Sequence, residues 1–204
     1  MIHEVDEDGE ISKTNLPIYD TTMGNANALF KLLKIYLSKL NIKEVNKVLF
    51  IGDGAQWICL PRPLGGKRTK PLFEELGLKK EQYVLAIDYY HAAQQLHKII
   101  EHIPTGNFDK IEKFFKKENI QSSDNKDLTI KSRNKKDLFK ELKAYLWAGK
   151  IEDLSKLIRV IGKGKLPKIN GLLRYFTKQK ELFNYQNLRD LKLPCGSGIV
   201  ESAI

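Results

Sequence analysis

The stretch that decides the fold is KVLFIGDG, residues 47–54, in which a short apolar run ends at a Gly-Asp-Gly turn. A run of this length without polar alternation is typical of a strand that is buried on both faces. A second such run, YVLAI at residues 83–87, ends at Asp88. Helical apolar spacing precedes, separates and follows the two runs, so the pattern predicts an α/β fold.

The residues before the first run predict a hairpin and a helix. Residues 1–8 and 10–19 resemble two short strands joined at Glu7-Asp8-Gly9, because Asp-Gly between extended runs favours a tight turn. From Ala26 to Leu40, apolar side chains recur at helical spacing, and Asn41 can end this helix. Further helices are predicted at residues 71–76, 90–102, 108–118, 135–148, 151–161 and 169–183.

The positive charge of the chain is concentrated in its second half. The chain has 35 Lys+Arg and 25 Asp+Glu, a formal net charge of +10. Residues 131–181 contain 15 of these basic residues and 5 of the acidic ones, so the rest of the chain is neutral overall. A basic helical region indicates an acidic partner, nucleic acid first and a membrane surface second. On charge alone, solvated helix faces explain the lysines equally well.

Length and composition exclude several classes of protein. A chain of 204 residues fits one domain, or one domain with a large insertion. No apolar run approaches the ~20 residues of a membrane span, and the acidic first ten residues do not form a signal peptide. Cys59 and Cys195 are far apart, which favours a reducing, cytoplasmic environment over a disulfide scaffold. No phosphate-binding loop, dinucleotide fingerprint or nucleophile elbow is present.

Two aspartates stand where the predicted strands end. Asp53 and Asp88 each follow an apolar run, and ligands gather at the carboxyl ends of strands in open α/β sheets. Two carboxylates on neighbouring strands could hold a divalent cation, which prefers oxygen ligands. The alternative is that each aspartate caps the helix after its strand. Capping is favoured for Asp88, whereas the two interpretations are balanced for Asp53.

Other polar and aromatic residues carry weaker signals. His91 lies three residues after Asp88, a spacing that could orient an imidazole or ligate a metal. Glu201 lies in the first turn of the last predicted helix, where an acid ordinarily stabilises the helix dipole. Trp57 and the pair Tyr89-Tyr90 are interpreted as packing residues rather than platforms for stacking bases.

Three sequence blocks, taken in order, carry a resemblance to a known family. They are GDGAQWI at 52–58, IDYYHA at 87–92 and LPCGSGIVESA at 193–203. This series resembles the bacterial insertion-sequence DDE transposases, whose blocks are DGA-x-WI, D-x-[YF]-H-A and P-x-GSG-x-[IV]-ESA. Each block alone is weak, but the ordered series is specific and covers nearly the whole chain. The resemblance implies a ribonuclease H-like mixed sheet with a large basic all-helical insertion before the final catalytic helix.

The resemblance also implies domains and residue roles. Residues 1–103 would form a partial ribonuclease H-like core, 104–192 the insertion, and 193–204 the start of the final core helix. Asp53 and Glu201 match catalytic, metal-binding carboxylates of the family. Asp88 and His91 match the D-x-x-H block, Asp88 as a catalytic or alternative ligand and His91 as a supporting residue. The basic residues expected to contact nucleic acid are Lys135, Lys136, Lys163, Lys165 and Arg174.

The same resemblance implies a reaction and its partners. Family members cleave and transfer DNA strands with two divalent ions, Mg²⁺ or Mn²⁺, at a site of three carboxylates. We therefore expect DNA, and the ends of a mobile element in particular, as the partner of this chain. The expected location is the bacterial cytoplasm in association with the nucleoid. A homodimer is a further expectation, and a membrane partner is not expected.

The chain departs from the family at both ends. The hairpin 1–19 matches the second and third strands of the core, so strand one and its catalytic aspartate would be missing. In the alternative alignment Asp6 is that first ligand, but too few residues then remain for two more strands. The chain also ends just after Glu201. We therefore expect a truncated copy with little or no transposase activity. The other hypotheses are a retained, non-catalytic nucleic-acid-binding protein and a housekeeping nuclease of the same superfold.

Overall fold

The computed structural model describes most of the chain between residues 26 and 196. The described residues are 2, 4, 18, 23–24, 26–42, 44–54, 72–103, 132, 134–161 and 167–196. The turn of the predicted hairpin and the predicted helix 108–118 lie outside these ranges, as do Asp6, Trp57, Cys59, Lys163, Lys165 and Glu201.

Helices dominate the described ranges, and two strands form a small sheet. The helices are Ala26–Lys39 (α1), Leu72–Glu75 (α2), Tyr89–Glu101 (α3), Lys135–Trp147 (α4), Ile151–Ile161 (α5), Pro167–Lys178 (α6) and Tyr185–Asp190 (α7). Single 3-10 turns lie at Lys80–Gln82 and Lys180–Phe183. The strands Val48–Gly52 (β1) and Tyr83–Ile87 (β2) are parallel neighbours. This arrangement agrees with the predicted α/β class, whereas the ribonuclease H-like sheet with its insertion stays a prediction.

The helix predicted at 169–183 divides into two elements. The main helix, α6, ends at Lys178, and a 3-10 turn begins at Lys180. Between them Gln179 has φ −132° and ψ 35°, outside the helical region, so the α-helix cannot continue through it. The six-residue helix α7 was not predicted. Its first turn is stabilised by the Asn184 side chain, which accepts a hydrogen bond of 3.2 Å from the backbone N–H of Asn187.

The chain forms two compact units. The N-terminal unit comprises Met1–Ala86 and Leu188–Pro194, and the helical unit comprises Ile87–Asn187 and Cys195–Ile204. The sequence places boundaries at 103/104 and 192/193 instead. The predicted boundaries separate a transposase core from its insertion. The two compact units do not test that division, so the boundaries stay a prediction.

Aromatic side chains organise the core of the N-terminal unit. Phe73 is almost fully buried, with its ring stacked on Tyr83 at 5.1 Å and edge-on to Phe50 at 5.5 Å between centroids. Because Phe50 lies on β1 and Tyr83 on β2, Phe73 attaches α2 to both strands. Buried aliphatic and aromatic residues extend this cluster to α1 and the loops: Phe30, Leu37, Ile42 and Leu78. The strands themselves are mostly half-buried rather than buried on both faces.

The structure describes one backbone pairing near the start of the chain, as well as the end of α1. Ile2 and Ile18 form an isolated antiparallel bridge with reciprocal backbone hydrogen bonds of 3.0 and 3.1 Å. The predicted strands 1–8 and 10–19 and their turn otherwise lie outside the described residues and stay a prediction. Helix α1 ends before Asn41, which has φ +47°. Asparagine tolerates this left-handed conformation better than most residues, and it lets the N–H of Ile42 bond back to the carbonyl of Leu37.

The helical unit is built from packed helices with fully buried contact faces. Helix α3 packs on α4 and α6, and α5 packs on α4 and α6. On α4, the buried positions are Leu138, Leu142 and Leu146, which recur every fourth residue and are completely excluded from solvent. The helix then ends at Gly149, whose φ of +69° closes a Schellman turn with the N–H of Lys150 bonded to the carbonyl of Tyr145.

Membrane-spanning character is absent from the described helices. None of them combines the length and the apolar composition that a transmembrane span requires.

Candidate functional site

Asp53 lies on the surface, directly after β1. Its side chain is exposed, and the following Gly54 has φ +87°, a conformation that favours glycine. The strand therefore ends in a tight change of direction that leaves a carboxylate in contact with water. An exposed carboxylate at the carboxyl end of a strand can take a divalent cation without a large desolvation cost.

Asp88 occupies the corresponding position after β2 but has a different environment. It is 7% exposed, and its Oδ1 accepts a hydrogen bond of 3.0 Å from the backbone N–H of His91. This carboxylate is the N-cap of α3, where it satisfies an amide that has no partner within the helix. The capping interpretation of Asp88 is confirmed, and its catalytic role stays a prediction.

His91 lies on the first turn of α3 with its ring half-buried. Its Nε2 is 3.1 Å from the side-chain nitrogen of Gln95, one turn further along the helix. This contact joins the imidazole to the Gln95 amide within α3. The ring also meets Tyr175 in an edge contact at 6.1 Å. Within the described residues, His91 is therefore oriented by neighbours on α3 and α6.

The third sequence block is anchored on the start of α3. The carbonyl of Cys195 accepts a hydrogen bond of 3.0 Å from the backbone N–H of Tyr89. The thiol of Cys195 lies 3.8 Å from the carbonyl of Tyr185. Gly196 lies flat against the Tyr90 ring, because a Cβ at that position would come within 2.9 Å of the ring edge. The structure thus brings together the second and third blocks, which are remote in sequence.

A buried tyrosine lies beside this junction. Tyr185 is fully buried, and its ring meets that of Tyr89 edge-on at 5.3 Å. Burial raises the pKa of its hydroxyl far above the usual value, and the nearby Tyr175 and Asp88 raise it further. No described residue forms a hydrogen bond with this hydroxyl. The Asp88 and Tyr185 side chains are therefore both largely closed to water.

The predicted DNA-contacting residues have different environments. Lys135 is half-buried, and its Nζ donates a hydrogen bond of 2.9 Å to the carbonyl of Glu101 at the end of α3. This contact stabilises the helix terminus, which gives Lys135 a structural role. Lys136 on α4 and Arg174 on α6 are exposed, as a phosphate contact requires. Lys163 and Lys165 lie outside the described ranges.

The described residues do not complete a metal site by themselves. Among them, no group of three or more His, Cys, Asp or Glu side chains is close enough to hold an ion. Asp53 and Asp88 follow paired strands, but Glu201, the third residue of the predicted set, is not described. The predicted Mg²⁺ or Mn²⁺ site stays a prediction that rests on the sequence blocks.

Sequence analysis missed the aromatic surface beside Tyr89. The Trp147 ring lies 4.7 Å from the Tyr89 ring and is 40% exposed, although it was not singled out. A signal was available in the sequence, because Lys136, Lys140, Lys143 and Trp147 recur on one side of the predicted helix. The contacts of Cys195 and Gly196 had no such signal, since they depend on the return of the chain to α3.

Comparison with known proteins gave no relative of this chain. No family model, no curated protein and no solved structure matches it. The resemblance to DDE transposases therefore rests on the three sequence blocks alone.

Proposed function

We propose that this chain is a DDE-transposase-type protein that acts on DNA. The observation that carries the proposal is the junction between the second and third blocks at the start of α3. Asp88 and Cys195 are 107 positions apart in the sequence, yet Cys195 bonds to Tyr89, the residue after Asp88. An ordered set of motifs is meaningful when the fold brings its members together, and this junction meets that condition for two of the three.

The direction of the strands supports the same proposal. β1 and β2 are parallel neighbours, and each is followed at once by one of the predicted aspartates. In open α/β sheets the carboxyl ends of neighbouring parallel strands are where ligands and catalytic groups collect. Asp53 and Asp88 each follow one of two neighbouring parallel strands, and this placement supports the proposal.

The proposed chemistry assigns different tasks to the acidic residues. Asp53, which is exposed, would be a ligand of a divalent metal, a role that the resemblance also implies for Glu201, while Asp88 caps the start of α3 through the backbone N–H of His91. When bound, magnesium supplies activation of an attacking oxygen and stabilisation of a leaving oxygen in phosphoryl transfer. The basic helices would hold the DNA backbone through phosphate contacts and release of its counterions.

A second candidate function is retained, non-catalytic binding of nucleic acid. It is favoured by the environment of Asp88, because one oxygen of this carboxylate already accepts the N–H of His91 and the side chain is almost fully buried. A carboxylate used in this way is less available to a metal than an exposed one. Under this alternative the basic helices would still bind the phosphates of nucleic acid, and the acidic residues would have only structural roles.

A plasmid-nicking assay separates the two functions. The purified 204-residue chain would be incubated with supercoiled DNA and MgCl₂ or MnCl₂, with CaCl₂ as a metal that supports binding without cleavage. Nicking that requires metal and disappears in Asp53→Asn, but not in Asp190→Asn at another exposed carboxylate, supports the enzyme. DNA binding without nicking agrees with the little or no activity that is expected of a truncated copy, and so supports a non-catalytic role. Nicking that persists in Asp53→Asn contradicts the assigned site, and the absence of any DNA binding contradicts both functions.

A further inference from the structure

Helix α4 carries a stripe of lysines that ends in an aromatic side chain. We call Lys136, Lys140, Lys143 and Trp147 the basic stripe. Their spacing of four, seven and eleven residues places them within about 60° of one another around the helix axis, over a length of about 16 Å. The buried leucines of α4 lie on a different face of the helix. Lys136, Lys140 and Trp147 are exposed, and Lys143 is partly exposed.

The C-terminal end of the basic stripe is an aromatic surface. Trp147 is 40% exposed and meets Tyr89 at 4.7 Å, and Tyr90, which is 47% exposed, meets Tyr89 at 6.0 Å. Lys143 places its Nζ 5.6 Å from the centre of the Tyr89 ring, a cation–π distance. Gly196 covers the edge of Tyr90 at which a Cβ would clash. Three aromatic rings and the ammonium group of Lys143 therefore lie close together within the helical unit.

The acidic residues of α4 do not interrupt the stripe. Asp137 accepts a hydrogen bond of 2.7 Å from the side-chain amide of Asn134, and Glu141 accepts one from the hydroxyl of Ser132. Their positions on α4 are rotated by about 100° from the lysines that precede them. Along α4 the lysines of the stripe therefore form a row of one sign of charge, which is complementary to a polyanion.

We propose that the basic stripe binds single-stranded nucleic acid, with phosphates along the three lysines and an unpaired base stacked on Trp147. This inference rests on the proposed function and specifies the form of its ligand. Stacking on an aromatic side chain requires a base face that a regular duplex does not expose, because each face is covered by the next base pair. Basic grooves with interspersed rings are the common means of binding such strands. Tyr90 is the second ring within reach of the strand.

The first test uses the fluorescence of Trp147 itself. The chain has two tryptophans, so Trp57→Phe leaves Trp147 as the only indole. Titration with a twelve-nucleotide single-stranded oligonucleotide should quench its emission to saturation, because a stacked base deactivates the excited ring. A duplex of the same length should quench it much less. Equal quenching by both forms, or none by either while the oligonucleotide binds, overturns the proposal.

The second test removes the ring. Trp147→Leu should weaken single-strand binding by about 5- to 100-fold, the range expected for loss of one stacked base, and leave duplex binding nearly unchanged. Trp147→Phe should retain most of the affinity. Tyr90→Leu gives an independent variant on α3, with a smaller loss in the same direction. Circular dichroism and thermal unfolding establish that each variant is folded. Unchanged single-strand affinity in folded Trp147→Leu and Tyr90→Leu overturns the proposal.

The third test removes the charge. The triple variant Lys136→Gln, Lys140→Gln, Lys143→Gln should reduce the salt dependence of single-strand binding by about 2 in the log–log slope, because each lost phosphate contact contributes ~0.7. The matched control changes three exposed lysines of α1: Lys31→Gln, Lys34→Gln and Lys39→Gln. An equal reduction of this slope in both triple variants overturns the assignment of the binding site to the basic stripe.

The outcomes separate this inference from the proposed function. If the wild-type chain binds neither duplex nor single-stranded DNA at low salt, the proposed function itself fails. If duplex binding is intact but the single-strand measurements give the overturning results, only this inference fails. Anionic phosphatidylserine vesicles are the competing probe. Binding of the vesicles that depends on the stripe, with no stripe-dependent oligonucleotide binding, assigns the surface to a membrane and contradicts the proposal.

Discussion

Asp53 and Asp88 stand at the same kind of position in two regions that bury their residues to different degrees. In the N-terminal unit the strands are largely half-buried, and Asp53 is exposed after β1. In the helical unit many side chains are completely excluded from solvent, and Asp88 is enclosed as the N-cap of α3. Position after a strand therefore does not determine the role of a carboxylate. Its burial and its hydrogen-bond partners do.

The comparison shows Asp88 in a helix-capping role, and it is compatible with the proposed ligand role of the exposed Asp53. A buried carboxylate that already accepts a backbone N–H must lose that bond before it can take another ligand, and breaking such a bond has a free-energy cost. Asp53 is exposed to water, so a cation could reach it without burial of the charge. Variants that change burial, ionisation or capping test this contrast between the two regions.

The largest effect is expected in the core of the helical unit. Leu142→Ala removes a completely buried side chain between α4 and its neighbours, and it should lower the free energy of unfolding by about 2–5 kcal/mol. Urea unfolding followed by circular dichroism measures the change. The control is Ile35→Ala on α1, a half-exposed position where a change within about 0.5 kcal/mol is expected. A similar decrease in the free energy of unfolding for both variants would contradict the difference in burial between the two positions.

The next effect is an alkaline loss of stability caused by Tyr185. Its pKa is raised by burial, so above the ordinary tyrosine pKa of about 10 the unfolded chain releases a proton that the folded chain retains. The stability that this group contributes is complete below pH 10 and falls as the pH rises, by up to about 1.4 kcal/mol per pH unit.

Tyr185→Phe should reduce this alkaline loss and leave stability at pH 7 unchanged or higher, since no described residue bonds the buried hydroxyl. Urea unfolding at pH 7, 10 and 11 makes the comparison. A steep loss of stability in the variant at pH 7 would show that the hydroxyl has a partner outside the described residues.

A smaller effect is expected at the cap of α3. Asp88→Ala removes the acceptor for the N–H of His91 and should cost about 0.5–2 kcal/mol, whereas Asp88→Asn keeps an acceptor oxygen and should cost less. Asp53→Asn, at the exposed position, should leave the free energy of unfolding nearly unchanged. Thermal unfolding of the three variants tests the ranking. A loss for Asp53→Asn as large as that for Asp88→Ala would reverse the assigned roles.

The smallest effect is expected at an exposed ion pair of the helical unit. Lys180 Nζ lies 2.8 Å from Glu152 Oε1, and this pairing lowers the pKa of Glu152. The contribution of Glu152 is therefore present at neutral pH and is lost as the pH falls below the usual glutamate range. Because both side chains are exposed, Glu152→Gln should change stability only slightly, and less at 1 M NaCl than at low salt. A large decrease in the free energy of unfolding, measured with urea, would contradict the exposed position of this ion pair.

Much of the secondary structure could be predicted from periodicity. The apolar spacing on α1, α4 and α5 is strong because one face of each helix is buried, and α5 has the predicted bounds. The short apolar runs also identified β1 and β2 as strands, although most of their residues are half-buried rather than buried on both faces. The interruption at Gln179 was not predictable, because the side chains on both sides continue the helical apolar pattern and only the backbone angles depart from it.

The candidate site could be predicted only in part. The cap formed by Asp88 follows from local spacing, since an N-cap and the N–H that it binds are three residues apart. The junction of Cys195 with Tyr89 and the contact of Trp147 with Tyr89 join distant parts of the chain, so local patterns do not contain them.

The most direct test of the account is the affinity of the full chain for DNA as a function of salt. The basic helices are proposed to hold phosphates, so fluorescence anisotropy with a labelled duplex should show a dissociation constant that rises by about 100-fold or more between 50 and 200 mM NaCl. This result would establish the electrostatic contact on which both candidate functions depend. An affinity that stays flat over this range, or no binding at 50 mM, would contradict the proposal that the chain acts on DNA.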